Sequence, residues 1–438
     1  MQTIQRAVGT LLDPSDGQTR SGDLVTIACN AAQTSTATMT TKPATEEDLP
    51  VPDEILCMIL AACDPVDIVA ARHVGRRWRA CAPAVPRFKR RYLGELAFRG
   101  YRSLIEWTLS SGYRWLCVDA YTCAEAASGG HLALLQWLRT NGCPWDESTC
   151  SYAAGEGHIG VLKWAEANGC PLTKCACGRA ARCGHLAVVE WIHARLCPSD
   201  RTEWLKVAWD GAVIGGHIHI VQWAYDRGHR CDGWTYVVAS RRGDLAMLQW
   251  ARDNGCPWPN AQWPDSPCSE AARKGHLDAL RWLWSNGCPW DTRTCRRAAE
   301  RGRFAMLQWL HGVGCPWDAS TCAGAAQRGH LDVLEWARAN NCPWDHRTCD
   351  YAAAQGHFVL LKWARSHGCH WSERACAGAA YCGRVDILQW LRANNCPWSA
   401  SVCTAAQGHL DVIHWLRANG CPWDVWTLRA VDSPGAAA

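Results

Sequence analysis

Cysteine and histidine return along this chain at spacings that invite metal or thiol chemistry. Cys143, Cys150 and His158 form one triplet, and the pattern recurs through the 28 cysteines of the 438-residue sequence. Zinc takes thiolate and imidazole ligands, but it favours a gap of two to four residues between the first cysteines and a set of four ligands. Here six residues separate Cys143 from Cys150, and the histidine gives way to Asp244, Arg303 and Arg384 in three copies. A zinc module therefore stands as the weakest of the readings, and no metal or cofactor is expected. No CxxC redox motif occurs in the repeated part, where Cys175 and Cys177 form only CxC. No secretory signal is legible at the N-terminus, so the cysteines are expected as thiols in a reducing compartment. No GxxxxGK, HExxH or GxSxG motif is present, and no asymmetric cluster breaks the repeat as a catalytic site would. The expectation is a chain that is not an enzyme.

The elements that must carry these residues are set by a period. Tryptophan marks it at 107, 137, 164, 191, 223, 250, 282, 309, 336, 363, 390 and 415, most often 27 residues apart. That is about 12 copies over 95–430. A well-formed copy is TCAGAAQRGHLDVLEWARANNCPWD at 321–345. It reads as two short helices. Thr321 is the expected N-cap of the first and Gly329 its stop. The second begins at His330, with Leu331, Leu334 and Ala337 on one face and Val333 and Trp336 widening it. Asn-Gly or Asn-Asn ends it through a left-handed residue, and the following proline forbids continuation. Neither helix is stable alone at this length, so each unit must bury its faces against neighbours. The segment NGCPWD then reads as a joint, with cysteine as a small buried apolar residue and tryptophan filling the gap between units. Two wider spacings carry insertions, at 192–222 and 251–281, expected as loops. The unit at 391–414 lacks two residues of its first helix.

The run AAxxGHLxVLxWLxxNG resembles the ankyrin repeat over roughly 95–430. The units are shorter than the ~33 residues of that family. The residues missing between NGC and TC are those of the ankyrin β-hairpin tip, so the expected fold class is all-α. A second resemblance lies upstream. The segment LPVPDEILCMILAACDPVDIVAARHVGRRW at 49–78 is similar to an F-box, a three-helix module. Pro52, Glu54, Ile55, Leu56, Ile59, Leu60, Pro65, Asp67, Ile68, Val74 and Trp78 carry the likeness. The resemblance implies docking on the Skp-type adaptor of a cullin–RING ubiquitin ligase, by helix faces in an apolar groove. The competing reading makes 49–94 a cap of the repeat array. The expected organisation is a disordered leader at 1–47, the F-box-like domain at 48–94, a solenoid at 95–430 and a disordered tail at 431–438.

Positions that vary between copies are free for a partner. They flank the Thr-Cys pair and precede the Gly-His pair. Tyr152, Glu156, Arg293, Arg296, Arg297, Arg301, Arg347 and Tyr351 are the candidates there, since Tyr and Arg dominate binding energy at interfaces. A net charge of +4 is too balanced to argue for nucleic acid, and no apolar run reaches membrane-spanning length. The expected activity is that of a monomeric adaptor inside a cell, in the cytoplasm, with the basic run RFKRRY at 87–92 leaving the nucleus open. Pairing of an F-box with short Trp- and Cys-rich ankyrin-like units resembles proteins of large DNA viruses of amoebae, which implies a host cytoplasm. The alternative is a scaffold that sequesters a protein without any ligase.

Overall fold

The computed structural model describes residues 80, 91–110, 119–195, 201–259, 266–406 and 408–423. The F-box-like residues Pro52 to Trp78, the leader at 1–47 and the tail at 431–438 lie outside them. Among the described residues the chain is all-helical, with twenty-four helices in twelve consecutive pairs. The pairs are α1 (Arg91–Phe98) with α2 (Arg102–Ser110), α3 (Ala120–Ser128) with α4 (Leu132–Thr140), α5 (Glu147–Gly155) with α6 (Ile159–Ala167), and α7 (Lys174–Cys183) with α8 (Leu186–Arg195). Then come α9 (Arg201–Gly215) with α10 (Ile218–Asp226), α11 (Gly233–Arg242) with α12 (Leu245–Asp253), α13 (Pro267–Lys274) with α14 (Leu277–Ser285), and α15 (Thr292–Glu300) with α16 (Phe304–Gly312). The last are α17 (Ala319–Arg328) with α18 (Leu331–Ala339), α19 (His346–Ala354) with α20 (Phe358–Ser366), α21 (Glu373–Tyr381) with α22 (Val385–Ala393), and α23 (Ala400–Ala405) with α24 (Leu410–Ala418). The chain divides into two compact units, Met1–Gly211 and Ala212–Ala438.

Each pair is built as the 27-residue pattern requires, with one change at its start. The N-cap is the Asp of CPWD in four pairs, and Ser266, Ser372 and Ser399 cap α13, α21 and α23. Asp146, Asp291, Asp318 and Asp345 each accept a hydrogen bond from the backbone N–H two residues on. The expected threonine cap is wrong: Thr149, Thr294, Thr321 and Thr348 lie inside the first helix, fully buried, and their Oγ1 atoms make no hydrogen bond with the protein. Aspartate wins because its longer acceptor reaches back over the first turn and is anionic beside the helix N-terminus. The first helix is a run of small buried side chains, such as Cys322, Ala323, Gly324, Ala325 and Ala326. That lets neighbouring first helices lie close, α15 against α17, α17 against α19 and α19 against α21. The second helices bury only a narrow stripe, for instance Val333, Leu334 and Ala337 of α18, and they touch one another far less.

The second helix starts one residue later than the sequence pattern suggests. His330 occupies the N-cap position, but its side chain makes no cap bond. Histidine at this position reaches the preceding pair instead. His131 Nε2 lies 3.0 Å from the Phe98 carbonyl oxygen, and His409 Nε2 lies 3.0 Å from that of Tyr381. The ring rests on the glycine that ends the preceding first helix. At Gly329, whose φ is +77°, an added Cβ would fall 2.5 Å from His357 Nδ1. The second helices end as expected in left-handed residues, Gly142 at φ +80° and Asn341 at φ +63°.

The described part of the insertion at 192–222 is helical rather than a loop. It lengthens a first helix to the 15 residues of α9, in which Trp209 is 1% exposed and Ala212 and Val213 are fully buried. An apolar insertion of this composition gains more by extending a helix into the core than by lying on the surface. The short unit near the C-terminus has the first helix cut to six residues, Ala400–Ala405.

Candidate functional site

In most helical units the recurring cysteines form a pair, between the first helix and the turn after the second. Cys123 Sγ lies 3.2 Å from Cys143 Sγ, and Cys403 Sγ 2.9 Å from Cys421 Sγ. Cys150 approaches Cys170 in the same way, its Sγ 3.9 Å from the Cys170 carbonyl oxygen. The triplet of Cys143, Cys150 and His158 is thus split between pairs, and no group of three His, Cys, Asp or Glu suited to a metal occurs among the described residues. The first-helix thiols of Cys150, Cys295, Cys322, Cys349 and Cys376 are pushed far up, first by the hydrogen bond with the partner thiol and then by burial. Burial alone pushes Cys177 up to about 12. The same hydrogen bonds hold the partner thiols Cys170 and Cys369 below their ordinary value, but both are buried, and a protonated first-helix thiol is a poor nucleophile and ligand, so these pairs act as packing.

One pair departs from the expectation of free thiols: Cys231 and Cys256 form a disulfide, with Cα atoms 5.4 Å apart. Its cause is local. Tyr236 stands where the first-helix cysteine belongs, its hydroxyl donating to the Cys256 carbonyl oxygen at 3.2 Å. Cys256 meets Cys231 instead, the residue just before the N-cap Asp232. Two departures from the repeat create this pairing, Tyr236 in place of the first-helix cysteine and Cys231 in place of the joint tryptophan.

The joint itself is a stack of aromatic rings and guanidinium groups. Trp145 meets Trp164 edge-to-face at 5.7 Å, and Trp317 meets Trp336 at 5.8 Å. Arg139 lies 4.2 Å above Trp145, and Arg338 4.3 Å above Trp344. The same arginines donate to the carbonyl oxygens of Cys143 and Cys342. These tryptophans are half-buried rather than fully enclosed plugs. Each ring pair contributes about 0.5–1.5 kcal/mol and each cation–π contact about 0.5–1 kcal/mol. NGCPWD therefore closes one pair and holds the next.

The free positions of the first helices separate into occupied and open side chains. Arg293 and Arg347 are tied to the caps Asp291 and Asp345, at 2.6 and 2.8 Å. Arg297 binds the buried Glu300 at 3.1 Å. Tyr152 lies under the guanidinium of Arg179 at 4.0 Å. Arg301 and Glu156 are exposed and Arg296 is half-buried. Tyr351 is 36% exposed and Tyr381, which the sequence reading passed over, is 71% exposed. Arg296, Arg297 and Arg301 share α15, and Tyr351 stands on α19, with α17 between the two helices. Tyr152 and Glu156 belong to the first compact unit.

Residues 268–311 match the family model of ankyrin repeats (many copies). The match spans α13 to α16, two helical pairs of the second compact unit. Among solved structures the chain is similar to the crystal structure of the human ASB11 ankyrin repeat domain, at 20% identity and a TM-score of 0.34. That likeness covers 43% of this chain and 99% of the other. Comparison with curated proteins gives no match. Among the described residues no helix is long and apolar enough to cross a membrane.

Between α11 and α13 lies a buried charge that sequence reasoning missed. Glu270 is 1% exposed. Its Oε2 accepts from Arg241 Nε of α11 at 2.7 Å, and its two oxygens accept from Arg273 Nε and Nη2 at 2.8 and 2.6 Å. Burial opposes the charge, but the two bonded guanidinium groups outweigh it and hold the carboxyl below its ordinary value of 4.5. A depressed carboxylate adds stability that is complete above its unfolded pKa and is lost as pH falls through the folded value. Glu270→Gln is expected to cost about 2 kcal/mol at pH 7, less than a fully buried pair because both arginines reach solvent. The deficit should shrink as pH falls below about 4. Urea titrations of both chains at pH 7 and pH 3.5 check this, and a deficit independent of pH would remove the ionic account.

Proposed function

We propose that this chain is an adaptor that holds a protein on its ankyrin-like units and presents it to a ubiquitin ligase. The observation that carries the binding half is the open first-helix surface of the second compact unit, where Arg301, Tyr351 and Tyr381 are exposed on closely packed helices. Rigid elements bearing Arg and Tyr lose little conformational entropy on binding. The ligase half rests on the sequence at 49–78. Ile55, Leu56, Ile59 and Leu60 would form the apolar stripe that enters the groove of a Skp-type adaptor, with Pro52, Glu54, Pro65, Asp67, Ile68, Val74 and Trp78 completing the motif. Catalysis would belong to the ligase. The expected place of action is a host cell interior.

Co-purification of the full chain with a purified Skp-type adaptor tests this reading. Wild type should capture the adaptor. The double substitution Ile55→Asp and Leu56→Asp should reduce capture at least about hundredfold, since two charges in an apolar groove cost roughly 3 kcal/mol or more. Helical content should not change. A well-folded wild type that captures no adaptor would replace this reading with that of a sequestering scaffold.

A further inference from the structure

The free face of α11, α13, α15 and α17 carries a run of basic residues. Arg241 and Arg242 end α11, Lys274 ends α13, Arg301 caps α15 and Arg328 ends α17, all exposed. Arg296 adds a half-buried guanidinium on α15. The four helices lie side by side in this order, so the charges form a continuous strip across four units. The two acids of the same face offset only part of it, Arg241 alone among the strip's exposed residues. Glu270 and Glu300 are 1% and 7% exposed and bind Arg241, Arg273 and Arg297. Lys274, Arg296, Arg301 and Arg328 make no ion pair among the described residues.

A cation near a helix C-terminus is favoured by the helix dipole, which offers a local reason for each residue. That reason does not account for the distribution. Equivalent positions read Gly155 and Glu156 on α5, Ala354 and Gln355 on α19, and Tyr381 and Cys382 on α21, and those helices form as well. Outside this stretch the position is basic only at Arg99 after α1 and Arg182 on α7, whereas here it is basic on four successive first helices, and next to them stand the exposed rings of Tyr351 on α19 and Tyr381 on α21. Uncompensated like charges placed together repel one another. An anionic partner relieves that cost and gains the attraction.

We infer that the strip over α11–α17 is the docking surface for an acidic segment of the partner protein, with Tyr351 and Tyr381 receiving apolar side chains at one end of it. The inference rests on the protein-binding half of the proposed function and names the chemistry of the partner. Paired guanidinium groups suit carboxylates, and charge complementarity sets both orientation and encounter rate.

Fluorescence anisotropy with a labelled twelve-residue oligoglutamate tests it on the full chain. Arg301→Glu with Arg328→Glu should weaken binding at least about tenfold at low salt. Lys163→Glu with Lys206→Glu makes the same change of net charge away from the strip, on exposed positions of the first compact unit, and should change binding less than about twofold. Binding should fall steeply with added salt. A second peptide whose last two residues are leucine should bind more tightly, and Tyr351→Ala with Tyr381→Ala should remove that gain. Helical content of each variant is read by circular dichroism. If charge reversal unfolds the chain, Lys274→Gln with Arg296→Gln replaces it, with a weaker loss expected. Equal weakening by both double variants, or no binding at low salt, overturns the inference. So does an oligothymidylate of the same length that binds as tightly with the same dependence on Arg301 and Arg328. Capture of the Skp-type adaptor without oligoglutamate binding would retain the ligase reading and overturn the acidic partner alone.

Discussion

Trp209→Ala is expected to destabilise its helical unit by about 4 kcal/mol, the largest single loss available in the first compact unit. Trp209 is among the largest fully buried side chains, at 1% exposure. Truncation removes most of an indole from a closed site, and the cavity left behind adds to the lost transfer energy. The surrounding α9 is long and bears Trp204, Leu205 and Ala208 on the same buried side, so the site has few ways to collapse. Repeat arrays lose stability locally before they lose it globally. Native-state hydrogen exchange is therefore the measurement. Amides of α9 should lose about three orders of magnitude of protection, while those of α17 to α22 keep theirs. Unchanged protection in α9 would mean that the 15-residue helix is not held by this ring.

Gly329→Val is the second large effect, with an expected cost of at least about 3 kcal/mol. Two independent terms act. The residue has φ +77°, where an L-residue pays about 1–2 kcal/mol and a β-branched one is an outlier. An added Cβ would also stand 2.5 Å from the His357 ring, so the histidine must leave its place against the preceding pair. Gly329→Ala should cost less, since it lacks the branch. A second substitution, His357→Ala, should recover the steric part and leave the backbone part. Comparing the double variant with the two single ones in thermal unfolding followed by circular dichroism separates the terms. Equal midpoints for wild type and Gly329→Val would show that the ring does not rest on this glycine.

Much of this architecture was legible in the residues because the same pattern was written many times. Twelve tryptophans at a common step gave twelve helical pairs, and the glycine and asparagine stops fell where the left-handed residues stand. Cap identity was misread at Thr321 because threonine and aspartate are both good caps and the pattern alone cannot choose between adjacent starts. The loop expected at 192–222 became α9 because an insertion was judged by position in the period, although Trp204, Leu205, Trp209 and Val213 were apolar enough to be core. Pairing of Cys231 with Cys256 depends on Tyr236 taking the first-helix cysteine's place, a three-dimensional relation that no spacing rule contains. Of the candidate partner-binding residues, Arg293 and Arg347 were exposed in the pattern but are engaged with their own caps, because a carboxylate two residues away is nearer than any partner. Tyr381 carried no signal in its own unit. It could have been found by aligning the copies and asking which column turns aromatic beside Tyr351.

The joint has a genetic consequence. Trp317, Asp318 and the helix after them stand in the same relation as Trp344, Asp345 and the helix that follows. A coding sequence that lost residues 319–345 as one block would join Asp318 to His346, giving a capped first helix in the old register and offering Trp317 the ring of Trp363 in place of Trp336. Duplication of such a block is equally in frame with the fold. The length of the array can therefore change by unequal exchange between its own copies, while the joints at both ends of the exchanged block keep their chemistry.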